Sequence, residues 1–468
     1  RYKLTTDWGA LDAYHAPSRN GKDAFPSIPV ADWTLDPVES PRNNSWFLAA
    51  LGARRGLTFL ERQTEVDGSK LGVYGHSMGG KLTVLTSGSD ERVKAAAPSC
   101  GGISDRYSKN PLHLATVGDP PSLRKITCPI IFLSPSNDFH GRINDLETSV
   151  GETKAKAWRV TCSPHGNHQD TPPYEVATQL WFDQHLKGGF VMPKTPELKL
   201  ALPAEKSPVA TILVDDSMEI EAMDVFYTQH GRMDGRKPDL ENVKHRFWRH
   251  APVSMHKGKP VARLRLSSAD KPLWAYANVR YRLEKPVSGA GYYYGAYTAR
   301  SFNLSSLMRT VPAADLKKAG TVPVLKPSMQ IEDFKGEWRK EWFSYKVDRW
   351  GIRTNKLYDS IWAAPKGARM VLEARSEKAN ELIVGIDGYA TVVALPGKSE
   401  WKTVTLSAND FQDAELKPLA NWNGVMELRL DESENLRPRR GSGATPRRLG
   451  SQWKGKAPEF RNLRWVAD

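Results

Sequence analysis

The architecture predicted by this 468-residue sequence is an α/β domain, a parallel sheet with flanking helices, followed by two β-sandwich domains. Three observations carry that expectation. Over the first two fifths of the chain, short apolar runs at 71–75, 94–98, 129–134 and 157–162 alternate with helical apolar stripes, the pattern of strands fed by crossover helices. After Pro193 the pattern changes to period-2 alternation, as in 198–202, 210–214, 261–266 and 275–281, which suits strands with one buried face. Between the first apolar run and the next helical segment stands Gly75-His76-Ser77-Met78-Gly79, a Gly-x-Ser-x-Gly turn from strand to helix.

The elements follow in order. Residues 1–40 show no periodicity and read as a surface loop. Ser40 as N-cap and Pro41 at the first helical position predict a helix carried by Trp46, Phe47, Ala50, Leu51, Leu57 and Leu60 to about Gln63. The strand 71–75, a helix from 82, and the strands 94–98, 129–134 and 157–162 come next. A helix over 173–186, apolar at Tyr174, Val176, Ala177, Leu180 and Trp181, closes the unit. The expected divisions are 1–193, 194–290 and 291–468, with a looser stretch over 288–325 and a β-rich unit from 326 that includes strands at 342–347, 368–374, 381–386 and 401–406. Trp338, Trp342, Trp350, Trp362 and Trp422 of that unit are read mainly as core rather than as a sugar-stacking platform.

Composition removes several function classes. No run of eighteen apolar residues exists, so no transmembrane helix is predicted. The net charge of +14 raises nucleic acid as a partner, but much of the excess sits in the Gly-, Ser- and Pro-interleaved stretch 436–449, read as a solvated insertion. Neither nucleic acid nor membrane is therefore expected. Cys100, Cys128 and Cys162 lack metal-ligand spacing and imply no disulfide framework, and no metal or cofactor is expected.

The turn at 75–79 carries the chemistry. A serine on a sharp strand-to-helix turn is lifted above the sheet edge in a strained backbone, and Gly75 and Gly79 are expected where the chain meets itself. The N–H of Met78 then stands at a helix start, where it can stabilise an oxyanion.

The stretches 36–44, 75–80, 134–140 (Ser-Pro-Ser-Asn-Asp-Phe-His) and 163–168 (Ser-Pro-His-Gly-Asn-His) together resemble the α/β-hydrolase superfamily, and within it bacterial dienelactone-hydrolase-like and acetyl-xylan-esterase-like proteins. Residues 398–411, with Trp422 and 428–430, are similar to galactose-binding-like jelly rolls found as carbohydrate-binding modules. The hydrolase resemblance implies a triad in the order Ser, acid, His. Ser77, Asp138 after the run 129–134 and His168 after the run 157–162 fill those places. A serine hydroxyl needs an imidazole to take its proton, and the imidazole needs a carboxylate to hold its tautomer. His165 is the alternative base or a substrate contact, and Asp145 the alternative acid. His76 and His140 are expected behind the catalytic groups, and Asp105 and Arg106 as a structural cap or a substrate contact. Serine at 77 departs from the Cys nucleophile of dienelactone hydrolases themselves and from the Asp nucleophile of haloalkane dehalogenases.

The resemblance also implies strands and a His-Gly-Gly stretch ahead of the turn. Only 70 residues precede Leu71, so the chain reads as truncated at its N-terminus, with the second oxyanion donor upstream of Arg1. The activity implied is that of a secreted or periplasmic serine carboxylic-ester hydrolase of the acetyl xylan type, acting on a polysaccharide or small ester through an acyl-serine. The alternatives are a non-catalytic glycan-binding protein with a decayed hydrolase half and a peptidase of related fold. The oligomeric state is not readable.

Overall fold

The computed structural model describes residues 4–6, 9–11, 44–108, 110–231, 244–291, 295–346, 349–439 and 441–467. Within the stretch read as a loop, β1 (Leu4–Thr6) and β2 (Gly9–Leu11) form a short antiparallel pair. The Ser40–Pro41 helix start lies outside the described residues. The helix α1 (Ser45–Glu61) takes Asn44 instead as its N-cap, and the Asn44 side chain accepts from the Trp46 N–H at 2.8 Å.

The α/β unit continues with β3 (Leu71–His76), α2 (Met78–Ser87), β4 (Val93–Ser99), α3 (Pro111–Thr116), α4 (Asp119–Leu123), β5 (Ile130–Leu133), α5 (Leu146–Glu152), β6 (Trp158–Thr161) and α6 (Pro172–Phe182). Its strands are parallel and lie in the order β3-β4-β5-β6. The unbroken apolar run of β5 has a direct cause: Ile130 and Phe132 enter one core with Val84, Val93 and Val160, while Ile131 and Leu133 enter another with Val176, Leu180 and Trp181. A strand buried on both faces cannot alternate.

That second core does not end at α6. It runs on through Leu198, Ile212, Val225, Ala277 and Phe302 of the β-rich region, so the α/β unit and the following sheets share one apolar interior. Those sheets comprise β7 (Glu197–Ala201), β8 (Val209–Leu213), β9 (Ile220–Thr228), β10 (Arg249–Ala251), β11 (Ser254–His256), β12 (Lys259–Arg263), β13 (Leu273–Gly291), β14 (Gly295–Ser305) and β15 (Arg309–Val311). They form two antiparallel sheets, β11-β12-β8-β7 and β10-β9-β13-β14, with β15 also on β13. The stretch from 288, expected to be loose, is instead the β13–β14 ribbon and then the helix α7 (Ala313–Lys318). The ribbon ends against the parallel sheet, where the Ser305 hydroxyl accepts from the Cys162 N–H at 2.7 Å.

The last unit packs two four-stranded antiparallel sheets face to face. Its strands are β16 (Gln330–Glu332), β17 (Ile352–Thr354), β18 (Arg369–Arg375), β19 (Asn380–Ile386), β20 (Tyr389–Leu395), β21 (Lys402–Leu406), β22 (Leu428–Asp431), β23 (Ser433–Leu436), β24 (Arg447–Gly450) and β25 (Glu459–Val466). The sheets run β16-β25-β18-β21 and β17-β22-β19-β20. Period-2 patterning turns Met370, Leu372 and Ala374 of β18 and Leu382, Val384 and Ile386 of β19 into one core, which also takes Trp342, Trp362 and Trp422. Trp338 and Trp350 pack against it, half-buried. The basic stretch 436–449 is carried by the hairpin β23–β24. The strand expected at 342–347 is not formed: a 3-10 turn over Trp338–Glu341 leads to a single bridge between Phe343 and Arg353.

Candidate active site

Ser77 links β3 to α2 with φ +60° and ψ −116°, a left-handed backbone that a non-glycine residue adopts only under constraint. The constraint is local. The Ser77 N–H donates to the Ser99 carbonyl at 2.8 Å, and its carbonyl accepts from the Lys81 N–H at 3.2 Å in the first turn of α2. A Cβ at Gly75 would overlap the Gly79 carbonyl, so that glycine is a packing requirement. Gly79 differs from expectation, because a Cβ there would meet nothing within 4 Å; the second crowded position is Gly80, pressed on the Ser99 carbonyl. The Met78 N–H occupies the first turn of α2, at the positive end of the helix dipole.

Asp138 sits beyond β5 and is fully buried; His168 sits beyond β6 in a left-handed backbone of φ +57°. The Ser77 hydroxyl lies 2.6 Å from His168 Nε2, and His168 Nδ1 lies 2.9 Å from Asp138 Oδ2. These partners assign the tautomer: Nδ1–H donates to the carboxylate and Nε2 accepts from the hydroxyl. Burial pushes the Asp138 carboxyl up. The hydrogen bond and charge of His168, with the backbone N–H groups of Gly141 at 2.5 Å and His140 at 2.6 Å, outweigh that and hold it below the usual carboxylate range.

His76 and His140 stand beside His168, with ring centroids 5.2 Å and 6.0 Å away. Burial, followed by the neighbouring His168, lowers His76 to about 4. Burial likewise lowers His140, whose Nδ1 donates to the Cys100 carbonyl at 3.1 Å. Both are therefore neutral near pH 7 and leave His168 as the imidazole that reaches Ser77.

The rivals lie elsewhere. His165 is 1 % exposed, stacked between Phe247 and Phe343 at 6.1 Å and 6.0 Å, and its Nε2 donates to the Lys340 carbonyl at 2.9 Å. Burial pushes its ring down to about 4. Asp145 is paired with Arg142 at 2.7 Å and is not brought to the histidine. Asp105 pairs with Lys81 and His113, and Arg106 with Glu152 at 3.2 Å. Among the described residues, Cys100, Asp138 and His168 place donor atoms within 4.8 Å of one another. The carboxylate and imidazole there are committed to each other, and burial raises the Cys100 thiol well above its usual value, which disfavours the thiolate that a metal would need.

Three neighbours were missed in the sequence. Phe139, 40 % exposed, lies 4.6 Å from the His168 ring, and Lys244 Nζ stands 4.9 Å over Phe139. An aromatic directly after the acid was a usable signal; nothing in the sequence ties Lys244 to a residue a hundred positions earlier. Tyr345 touches the loop carrying His168 and carried no motif at all.

Comparison with known proteins adds the following. Residues 41–169 match the model of the Dienelactone hydrolase family. No curated protein matches the sequence. Among solved structures, the chain is similar to an acetyl xylan esterase from a Paenibacillus species at 20% identity, covering 33% of this chain and 56% of that one, with a TM-score of 0.28. It is also similar to an acetyl xylan esterase from a Thermoanaerobacterium species at 13% identity, covering 33% and 55%, with a TM-score of 0.27. A carbohydrate esterase family 15 glucuronoyl esterase from Caldicellulosiruptor kristjansonii matches at 18% identity over 31% and 51%, with a TM-score of 0.27. The chain thus spans about half the length of each of these proteins. Residues 41–169 are thus similar to the dienelactone hydrolase family, and the parallel sheet and helices that carry Ser77, Asp138 and His168 fit a partial α/β-hydrolase fold.

Proposed function

We propose that this protein is a serine carboxylic-ester hydrolase working through an acyl-Ser77 intermediate. The observation that carries the reading is the continuous relay from Ser77 Oγ to His168 Nε2, 2.6 Å, and from His168 Nδ1 to Asp138, 2.9 Å, on an elbow that sets the hydroxyl at a helix start. In this reading His168 Nε2 takes the Ser77 proton as the oxygen attacks the ester carbonyl. The tetrahedral oxyanion forms beside the Met78 N–H, and Asp138 stabilises the imidazolium. Collapse expels the alcohol, which receives the proton from Nε2. A water activated by the same nitrogen then adds to the acyl-serine and releases the acid and the free hydroxyl.

The substrate we propose is an acyl ester on a polysaccharide, of the acetyl xylan type, met outside the cell in a secreted or periplasmic setting. The motif resemblance of the stretches around Ser77, Asp138 and His168 supports it. The likeness of the last β-sandwich to carbohydrate-binding modules is consistent with it. No helix among the described residues is long and apolar enough to cross a membrane. Labelling with a fluorophosphonate probe tests the mechanism: attachment to Ser77, lost in Ser77→Ala, is expected, and absence of labelling leaves the glycan-binding reading. Turnover of short acyl esters but not of peptide amides separates an esterase from a peptidase.

A further inference from the structure

We propose that Tyr345, from the last β-sandwich unit, is a positioning residue for His168; this rests on the triad reading above. Loop 163–169 holds two non-glycine residues in left-handed backbone, His165 at φ +62° and His168 at φ +57°. Such a loop stays in place only where its surroundings over-determine it. Its first half is tied to the acid loop, through Ser136 N–H to the Ser163 carbonyl at 2.9 Å, His165 N–H to Ser136 Oγ at 2.8 Å and Asn137 N–H to the Gly166 carbonyl at 3.0 Å.

The second half, next to His168, is held from a different part of the chain. The Tyr345 hydroxyl accepts from the Asn167 N–H at 2.7 Å and donates to the Asn167 carbonyl at 3.2 Å, while the Tyr345 carbonyl accepts from Gln169 Nε2 at 3.1 Å. One phenol therefore satisfies both backbone groups of the residue immediately before the imidazole, and the residue after it is tethered to the same tyrosine. Tyr345 is itself fixed. Phe343 exchanges both backbone hydrogen bonds with Arg353, at 2.9 Å and 2.8 Å, and the Arg353 guanidinium lies 5.4 Å from the Tyr345 ring. The Lys340 carbonyl of the same segment holds His165. The terminal sandwich thereby reaches the base through segment 340–345, and its place beside the hydrolase becomes part of the catalytic geometry.

The test is Tyr345→Phe in the full chain, which keeps the ring against Phe343 and removes the hydroxyl alone. We expect kcat for a short aryl ester, counted per site titrated by a fluorophosphonate, to fall about 10- to 100-fold with KM little changed, because misplacing a base by about 1 Å costs that much. The strongly deshielded proton between His168 Nδ1 and Asp138, identified by its loss in Asp138→Asn, is expected to broaden through faster exchange. Counting per titrated site removes any loss from unfolding. A kcat within about twofold of the parent, together with an unchanged imidazole proton, would overturn the proposal. Should the parent itself fail to label at Ser77, the triad reading falls, and the proton signal still decides whether Tyr345 holds His168.

Discussion

The proposed nucleophile and the proposed base arrive at the same point by opposite means. Ser77 is held by its own neighbourhood: the Ser99 carbonyl, the Gly75–Gly79 contact and the first turn of α2 all lie within about two dozen residues of it. His168 is held from afar, with Tyr345 and Lys340 more than 170 positions away supplying partners to the loop on either side of it. The strained elbow is a self-contained device. The strained base loop is an assembly, completed only when the terminal sandwich docks.

The largest expected effects fall on both regions alike. Ser77→Ala and His168→Ala should each remove ester turnover by several powers of ten while leaving circular dichroism and Tm nearly unchanged, since loss of one triad member disables the whole relay. Turnover within tenfold of the parent in either variant would break the assignment. His165→Ala should behave differently. It leaves a gap between Phe247 and Phe343 and frees the Lys340 carbonyl, so a stability loss of about 1–3 kcal/mol is expected by denaturant unfolding, with a smaller loss of kcat than His168→Ala. If the ranking in kcat were reversed, the base would be His165.

The elbow was legible in the sequence because its causes are local. An apolar run, two glycines and a following helix sit within 15 residues, and every link is visible in a short window. The same holds for β5, whose short apolar run 129–134 reads as a buried strand. The base loop was legible only by position after β6; its anchors were not, because Phe343 and Tyr345 look like members of an alternating strand, Trp-Phe-Ser-Tyr-Lys-Val. Alternation there reflects something else: Trp342 turns into the sandwich core, whereas Tyr345 turns to Asn167 of the hydrolase. The part of the β13–β14 ribbon from 288 on was missed for a related reason, although 275–281 was read as a strand. Gly289, Gly291 and Gly295 lower its strand signal, and its register shifts between Arg282 and Val287, where Lys285 and Pro286 interrupt the pattern.

Acid should separate the two regions. The sandwich meets the middle unit through charged groups: Asp224 accepts from Lys340 Nζ at 2.7 Å, and Glu341 accepts from the His250 backbone N–H at 3.1 Å. Burial pushes the Asp224 and Glu341 carboxyls up, but the hydrogen bonds of His250 and Lys340 at Asp224, and the charges of Lys356 and Arg249 at Glu341, outweigh it and hold both below their ordinary values. A depressed carboxylate contributes stability that is present above its unfolded pKa and is lost as pH falls through the lowered folded value. Docking should therefore weaken below about pH 4. Hydrogen exchange at falling pH is expected to expose the amides of 163–169 before those of β3 and α2. Simultaneous exposure would show that the base loop is as self-sufficient as the elbow.

The smallest effect concerns Asp170, at the end of the base loop, which has no counterpart at the elbow. Its Oδ1 accepts from the Ser163 hydroxyl at 2.9 Å, and its Oδ2 is buried with no hydrogen-bond partner among the described residues. Burial raises its pKa to about 8; the Ser163 hydrogen bond works against this, and Glu175 and Asp138 add to it. The folded chain thus keeps a proton on Asp170 across a range where the unfolded chain has lost it. Stability must then decline as pH rises from the ordinary carboxylate value, about 4, toward 8, the reverse of the docking carboxylates. Asp170→Asn keeps the acceptor for Ser163 and abolishes the titration. The variant should match the parent near pH 5 and unfold at a higher temperature near pH 8, with Tm followed by calorimetry at both. If the gap between variant and parent does not widen with pH, Asp170 is ionised in the folded chain and must have a partner. The loop would then be held at its C-terminal end by charge rather than by a neutral hydrogen bond.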